Sequence, residues 1–212
     1  MKIATQRLLT AMTLGACLGA GLSACAPIMM GGAVMGTLMA TDRRTSGMQV
    51  EDEGIELRAG SGIRSQLGER GHVNVSSYNR QVLLTGEVPN EQDKQTVEQL
   101  VSKVENVRSI VNELSVMENT TLSQRTSDAL VTGKVKASML DARDLFANAF
   151  KVVTERSAVY LMGRVTQREA NRATELTRSI EGVKKVVRVM EIISEEELQR
   201  IQPQPASSEA KK

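Results

Sequence analysis

Two short stretches of the chain share one pattern of hydrophobic and polar positions. VLLTGEV (Val82–Val88) and VYLMGRV (Val159–Val165) carry Val, Leu, Gly and Val at matching places, 77 residues apart. Before the first stretch, apolar and polar residues alternate through Val73 and Val75, which predicts a strand with one buried face. After each stretch, apolar residues recur every three or four positions, which predicts an amphipathic helix. The chain is therefore expected to contain the same unit twice, a β-hairpin followed by a helix.

The repeat continues beyond these helices. QLVSKVENVRSIVNELSV (Gln99–Val116) matches ELTRSIEGVKKVVRVMEI (Glu175–Ile192) at an offset of 76 residues, which indicates the loss of one residue near Pro89. In both segments the end of the helix is followed by apolar positions that predict a third strand. Asn79 and its neighbours are a plausible tight turn between the first two strands.

A further helix is predicted before each hairpin. In the second copy it runs from Asp128, a candidate N-cap, to about Leu140. In the first copy the apolar spacing is weaker, and Gly60 and Gly62 are expected to break the helix predicted around residues 55–67. Each copy is therefore expected to have the order α-β-β-α-β.

This repeat predicts an α+β protein with two tandem domains, each a three-stranded mixed sheet with two helices. We place the first domain at residues 51–118 and the second at residues 127–194, joined by a linker at residues 119–126. Residues 195–212 end in QPQPASSEAKK, a composition typical of a disordered tail. Each domain alone has a modest core, so packing the two together would stabilise both.

Residues 1–24 are typical of a secretory signal peptide. Lys2 and Arg7 precede LLTAMTLGACLGAGL (residues 8–22), which is uncharged and mostly small or apolar. An uncleaved membrane anchor is an alternative by length. Pro27 and the many glycines argue against one continuous helix here.

Leu22, Ser23, Ala24 and Cys25 follow where a cleavage site belongs. Their order resembles the bacterial lipobox, in which a diacylglycerol is attached to the cysteine sulfur and the signal is cut before the cysteine. The motif therefore predicts lipidation of Cys25, while a free thiol remains an alternative. Ala26 takes the place of the Asp that usually retains such proteins in the inner membrane, which indicates the periplasmic face of the outer membrane.

Charge and composition limit the partners of the mature chain. The full chain has 27 Lys and Arg against 25 Asp and Glu, and the excess of two belongs to Lys2 and Arg7. The remainder is formally neutral and has no Trp, so neither a basic field nor a stacking platform for nucleic acid is expected. Residues 25–50, rich in Gly, Ala, Met and Thr, are predicted to be a flexible tether.

No catalytic or metal site is predicted. His72 is the only histidine and lies in a predicted strand, so a histidine-based triad or metal site is not expected from one chain. RAGSG (Arg58–Gly62) lacks the spacing of a phosphate-binding loop. We therefore expect a protein that is not an enzyme and that needs no cofactor.

The strand pattern V-x-L-x-G-x-V, the helix after it and the start of the third strand (Val104–Val107 and Ile180–Val183) resemble the BON domain. Two such domains behind a lipobox are similar to the dual BON-domain outer-membrane lipoprotein family. The resemblance covers nearly all of residues 25–194. It implies an outer-membrane lipoprotein that binds anionic phospholipid, notably phosphatidylglycerol, and supports envelope integrity at the division site.

The same resemblance implies a binding site on the first helix of the second domain. The residues carried over are Leu130, Val135, Leu140 and the adjacent loop with Phe146, beside Lys134. A relative in enteric bacteria has tryptophan at the position of Leu130, and leucine lacks the preference of an indole for the membrane interface. From the residues alone, an alternative is that these apolar side chains pack on the first domain or under the loop 141–149.

A second function follows from the resemblance as an alternative. The protein would then be an interaction scaffold for the outer-membrane protein assembly machinery or for regulators of cell-wall amidases, and lipid contact would be incidental. In that case the surface of the first domain, or the sheet faces, would carry the function.

Overall fold

The computed structural model describes residues 42–201. The first domain consists of α1 (Ser46–Leu67), β1 (His72–Tyr78), β2 (Gln81–Val88), α2 (Glu91–Ser102), β3 (Ser109–Asn112) and β4 (Ser115–Val116). The second consists of α3 (Leu122–Asp141), a 3-10 turn (Ala147–Ala149), β5 (Phe150–Glu155), β6 (Ala158–Thr166), α4 (Gln167–Arg178), β7 (Lys185–Ile193) and α5 (Glu195–Ile201). The predicted order α-β-β-α-β is confirmed in both copies.

Both sheets have the same topology. The first two strands of each domain pair antiparallel, and the third strand pairs parallel with the second. In the first domain the third strand is split into β3 and β4, which both pair with β2. In the second domain β7 is continuous. The predicted mixed sheet is therefore confirmed, with one interruption at Glu113 and Leu114.

The central strand of each sheet buries both of its faces, which explains its unbroken apolar run. In β2, Val82 and Leu84 point into the core under the helices of the first domain, whereas Leu83 joins a different cluster. That cluster combines Leu83 with Tyr160 and Met162 of β6. The helix-free faces of the two sheets therefore pack against each other, and the two domains share a third core.

Both hairpins turn through two residues in the left-handed region, and each turn is held by a buried aspartate of the preceding helix. Asp52 accepts hydrogen bonds from the backbone N–H groups of Asn79 and Arg80, both at 2.8 Å. Asp128 accepts in the same way from the N–H groups of Arg156 and Ser157 at 2.8 and 2.9 Å. The prediction that Asp128 is an N-cap is therefore wrong, because its carboxylate caps the hairpin instead.

Three predicted boundaries also need correction. Helix α3 begins at Leu122, within the predicted linker 119–126, because the Thr121 side chain caps it by accepting from Gln124 N at 3.3 Å. Helix α1 begins at Ser46, within the predicted tether 25–50, with Thr45 as its cap. The predicted tail 195–212 starts with helix α5, which buries Leu198.

Helix α1 is also continuous through its glycines, contrary to the predicted break. A Cβ at Gly62 would lie 2.8 Å from Cδ2 of Leu100, so glycine at this position lets α1 and α2 approach closely. The first domain therefore uses Gly62 for helix packing and not to end the helix. Residues 1–24, the rest of the predicted tether up to residue 41, and residues 202–212 lie outside the described residues.

Candidate phospholipid-binding face

Helix α3 is fixed to the second sheet by one apolar side. Val131, Val135 and Met139 are at most 5% exposed and pack in the core of the second domain. Their spacing of four residues puts them on one side of the helix. The opposite side is thereby held facing away from the sheet.

Three of the apolar residues that the resemblance singled out are exposed. Leu130 is 65% exposed, Leu140 is 68% exposed, and Phe146, in the loop after α3, is 51% exposed. Val135 is fully buried, so its predicted contact with lipid is wrong: it faces the sheet, and only its neighbours face outwards. Leu145 is also buried and belongs to the core.

Between residues 129 and 140, the exposed residues of α3 form one surface, which we call the outer face: Ala129, Leu130, Gly133, Lys134, Lys136, Ala137 and Leu140. At about 100° per residue, Leu130 and Leu140 lie roughly 80° apart around the helix axis. The small residues lie between or beside them, and the two lysines lie at the two edges. The outer face is therefore an apolar strip with a cation on each side, and the exposed Asp141 follows it at the end of the helix.

The two lysines differ in their surroundings. The ammonium of Lys134 lies 3.4 Å from a carboxylate oxygen of Glu181, and both side chains are largely exposed. Such an exposed pair contributes little and is readily exchanged for another anion. Lys136 makes no ion pair within residues 42–201. Both ammonium groups are therefore accessible to an external anion.

Beside the outer face lies a cleft of about 450 Å3 between the two domains. Its wall includes Lys136, Leu140 and Phe150 from the second domain and Arg44 from the segment before α1. The guanidinium of Arg44 donates to Asp42 and to Asp52 at 2.8 Å each, so its charge is already neutralised. The cleft thus adds apolar surface and depth to the outer face, and little uncompensated positive charge.

The residues just before α1 are bound to the second domain, which the sequence analysis missed. Arg43 is 7% exposed and donates two hydrogen bonds to the carboxylate of Glu169, at 2.7 and 2.8 Å. It donates a third to the carbonyl oxygen of Arg164 at 2.9 Å, and its guanidinium lies 5.9 Å from the ring centre of Phe146. Arg43, at the start of the described residues, therefore lies beside Phe146 and the loop that follows α3.

The surroundings of Glu169 stabilise the negative charge that pairs with the guanidinium of Arg43. Glu169 is fully buried and belongs to the capping box of α4, where it also accepts from the N–H of Thr166 at 3.0 Å. Burial raises the pKa of this carboxyl, but the bonds from Arg43 and Thr166 outweigh it, so the pKa is lowered. In the sequence, the candidate cap at Thr45 could have indicated that the folded part starts before residue 51.

Two α-β-β-α-β domains in tandem place this protein in a class of small mixed-sheet proteins. A family model for the BON domain matches residues 58–118 and 127–194, one match in each of the two domains. The chain is 37% identical over 174 residues to Outer membrane lipoprotein DolP of Haemophilus influenzae, covering 81% of this chain and 90% of that protein. It therefore belongs to the BON-domain family, among the dual-BON lipoproteins similar to DolP.

Two further similarities are more distant. The chain is 32% identical over 154 residues to the 21 kDa hemolysin of Actinobacillus pleuropneumoniae, covering 72% of this chain and 79% of that protein. A structure of CdsD, a structural protein of the type III secretion system of Chlamydia trachomatis, matches 66% of this chain and 95% of its own at 14% identity. Its TM-score of 0.29 is too low to carry an argument. Within residues 42–201, no helix is both long and apolar enough to span a membrane.

Proposed function

We propose that this protein is a non-enzymatic lipoprotein on the periplasmic face of the outer membrane, anchored through acylated Cys25. It binds anionic phospholipid, notably phosphatidylglycerol, through the outer face of α3, and thereby supports outer-membrane integrity at the division site. The single observation that carries the proposal is the exposure of Leu130 and Leu140 between the accessible ammonium groups of Lys134 and Lys136.

An apolar strip edged by lysines suits a helix that lies in the plane of a membrane interface. The leucines can enter the boundary between headgroups and acyl chains while the lysines stay at the level of the phosphates. Phe146, half exposed beside Arg43, extends the apolar surface beyond the end of the helix. The similarity to Outer membrane lipoprotein DolP supports a place at the outer membrane.

The expected strength of this contact is moderate. Burial of two leucine side chains contributes about 3 to 6 kcal/mol, and two lysines near an anionic surface contribute about 2 kcal/mol. Part of this is offset by the loss of translational and rotational freedom on binding. The outer face is therefore expected to bind weakly alone and to act together with the acyl anchor, which holds the domain at the same surface.

The test is co-sedimentation of residues 42–201 with vesicles that contain or lack phosphatidylglycerol. The fragment starts at Asp42 and not at the predicted domain start, residue 51, so that it keeps the buried Arg43. The test variants are Leu130→Asp and Leu140→Asp. The matched control is Leu57→Asp on α1, because Leu57 is 70% exposed and lies in the other domain.

The proposal predicts binding that needs the anionic lipid, weakens as salt is raised, and falls at least tenfold in both test variants but not in the control. Circular dichroism and thermal melting should be unchanged in all three variants, because each position is on the surface. Equal binding by all variants, or no binding by the folded wild-type fragment, would contradict the proposal.

A protein-interaction scaffold is the second candidate, and one observation favours it. Val50 and Leu57 on α1 are 69% and 70% exposed and lie seven residues apart, on the same side of the helix. This apolar pair belongs to the first domain. If the scaffold function holds, Leu57→Asp should reduce capture of outer-membrane assembly components or amidase regulators from solubilised envelopes, while Leu130→Asp should not.

A further inference from the structure

The single histidine of the chain lies beside two buried carboxylates from different domains. His72 is the first residue of β1, and Glu87 is directly opposite it in β2. Glu155 is the last residue of β5 in the second domain. One ligand atom from each of the three side chains lies within 4.8 Å of the other two. No metal site was expected from the sequence, because only the folded chain brings these carboxylates to His72.

The carboxylate of Glu87 is incompletely satisfied. Glu87 is fully buried, and its Oε2 atom accepts from the N–H and the hydroxyl of Thr120 at 3.2 and 3.1 Å and lies 3.3 Å from Nδ1 of His72. Its Oε1 atom has no hydrogen-bond partner among the described residues. Buried carboxylate oxygens normally have hydrogen-bond partners. Because Oε1 of Glu87 has none, it can still accept a further ligand.

The charges around the cluster favour a further cation. Glu87 faces one guanidinium, that of Arg156, whose Nε atom lies 3.5 Å from Oε1 of Glu87 and has no hydrogen bond among the described residues. The terminal nitrogens of this guanidinium are bonded to Met117 and Ser115. Glu155 makes no ion pair within residues 42–201, so the two buried carboxylates of the cluster have one close guanidinium between them.

Glu155 is also buried, at 5% exposed, and its carboxylate accepts a hydrogen bond from the side-chain amide of Asn74 at 2.9 Å. A divalent cation would offset both the burial and the repulsion between the carboxylates.

We propose that His72, Glu87 and Glu155 bind a divalent transition-metal ion of the Zn2+ type across the two domains. One imidazole nitrogen and two carboxylate oxygens are donors that Zn2+ takes at about 2.0 to 2.2 Å, which puts ligands of a tetrahedral ion about 3.4 Å apart. The ligand atoms, all within 4.8 Å of one another, therefore have to close by at most about 1.4 Å, within the range of a change in glutamate torsion angles. Mg2+ and Ca2+, which prefer six or more oxygens, should bind much more weakly.

The site does not depend on the phospholipid proposal. Two of its ligands come from the first domain and one from the second, so bound metal would cross-link the two sheets at one end of their shared core. Its expected effect is therefore a gain in the stability of the domain pair.

The experiment uses the full chain in mild detergent, with Cys17→Ser and Cys25→Ser in every sample so that no thiol binds metal. Zn2+ is titrated into metal-free protein by calorimetry, and Co2+ is followed by visible absorption. The test variants are His72→Gln and Glu155→Gln. The control is Glu191→Gln, which removes another carboxylate that bridges the domains, through Asn79 and Arg108.

We expect one Zn2+ per chain, a rise in melting temperature with Zn2+, and a loss of affinity of at least tenfold in both test variants but not in the control. Without metal, Glu155→Gln should melt no lower than its parent, because the side-chain oxygen of glutamine can still accept the hydrogen bond from Asn74. This separates loss of a ligand from loss of the fold. Absence of Zn2+ binding, or binding that Glu155→Gln leaves unchanged, would overturn the proposal.

Discussion

Replacing Arg43 with alanine tests whether the segment before α1 is an integral part of the second domain. The substitution would leave the fully buried carboxylate of Glu169 without its two guanidinium bonds, at 2.7 and 2.8 Å, and with only its bonds to Thr166. Removing one partner of a buried ion pair costs about 3 to 5 kcal/mol. For a protein of this size that corresponds to a fall in melting temperature of roughly 6 to 20 °C.

The assay is urea and thermal unfolding of residues 42–201 at pH 7. The double variant Arg43→Ala with Glu169→Gln should be less destabilised than Arg43→Ala alone, because it no longer buries an unpaired charge. The matched control is Arg58→Ala, which removes an ion pair to Glu51 that is partly exposed and is expected to cost at most about 1 kcal/mol.

The pH dependence gives a second test of the same pair. Because the pKa of Glu169 is lowered in the folded protein, its ion pair stabilises the fold above the unfolded pKa of about 4.3 and is lost as the pH falls through the folded value. The gap in stability between wild type and Arg43→Ala should therefore be large at pH 7 and narrow as the pH falls below about 4.3. A gap of less than 1 kcal/mol at pH 7, or one that widens in acid, would refute this account of the buried pair.

Three further predictions concern other parts of the chain. Cys25→Ala should abolish incorporation of labelled palmitate and release the protein from the membrane fraction; a variant that stays labelled would contradict lipidation at Cys25. Asp52→Ala should destabilise residues 42–201 by roughly 2 to 4 kcal/mol at pH 7 and flatten the loss of stability in acid, because bonds from Ser77, two backbone N–H groups and Arg44 outweigh burial and lower the pKa of Asp52. If the loss of stability in acid were the same in Asp52→Ala as in wild type, the carboxylate of Asp52 would not be its cause. Gly86→Ala should cost roughly 2 to 6 kcal/mol in urea unfolding, since φ is +112° and the new Cβ would lie 2.0 Å from the carbonyl oxygen of His72. A variant of unchanged stability would mean that β1 and β2 relax around this position.

Much of the fold follows from local pattern. The hairpins, the helices after them and the third strands were predictable because alternation and helical spacing depend on which side of each element is buried. The lost residue near Pro89 is also explained: two residues separate β2 from α2, whereas Thr166 both ends β6 and caps α4. In these places local propensity and tertiary packing agree.

The remainder depends on contacts between the domains, which no local pattern encodes. The double burial of β2 and β6 arises only when the two sheets pack on each other. The structural roles of Arg43 and the surroundings of His72 likewise depend on residues more than 80 positions away in the sequence. At the candidate site, the exposure of Leu130 and Leu140 agrees with the prediction, but the burial of Val135 does not, because a helix presents only one side to lipid.

The most direct test of phospholipid binding asks which helix enters the membrane. Residues 42–201 contain no cysteine, so Ala137→Cys on the outer face and Leu57→Cys on α1 each give one site for an environment-sensitive fluorophore. With vesicles containing phosphatidylglycerol, the account predicts a blue shift of emission for the probe at position 137 and none at position 57. A shift at position 57 alone, or at neither position, would contradict it.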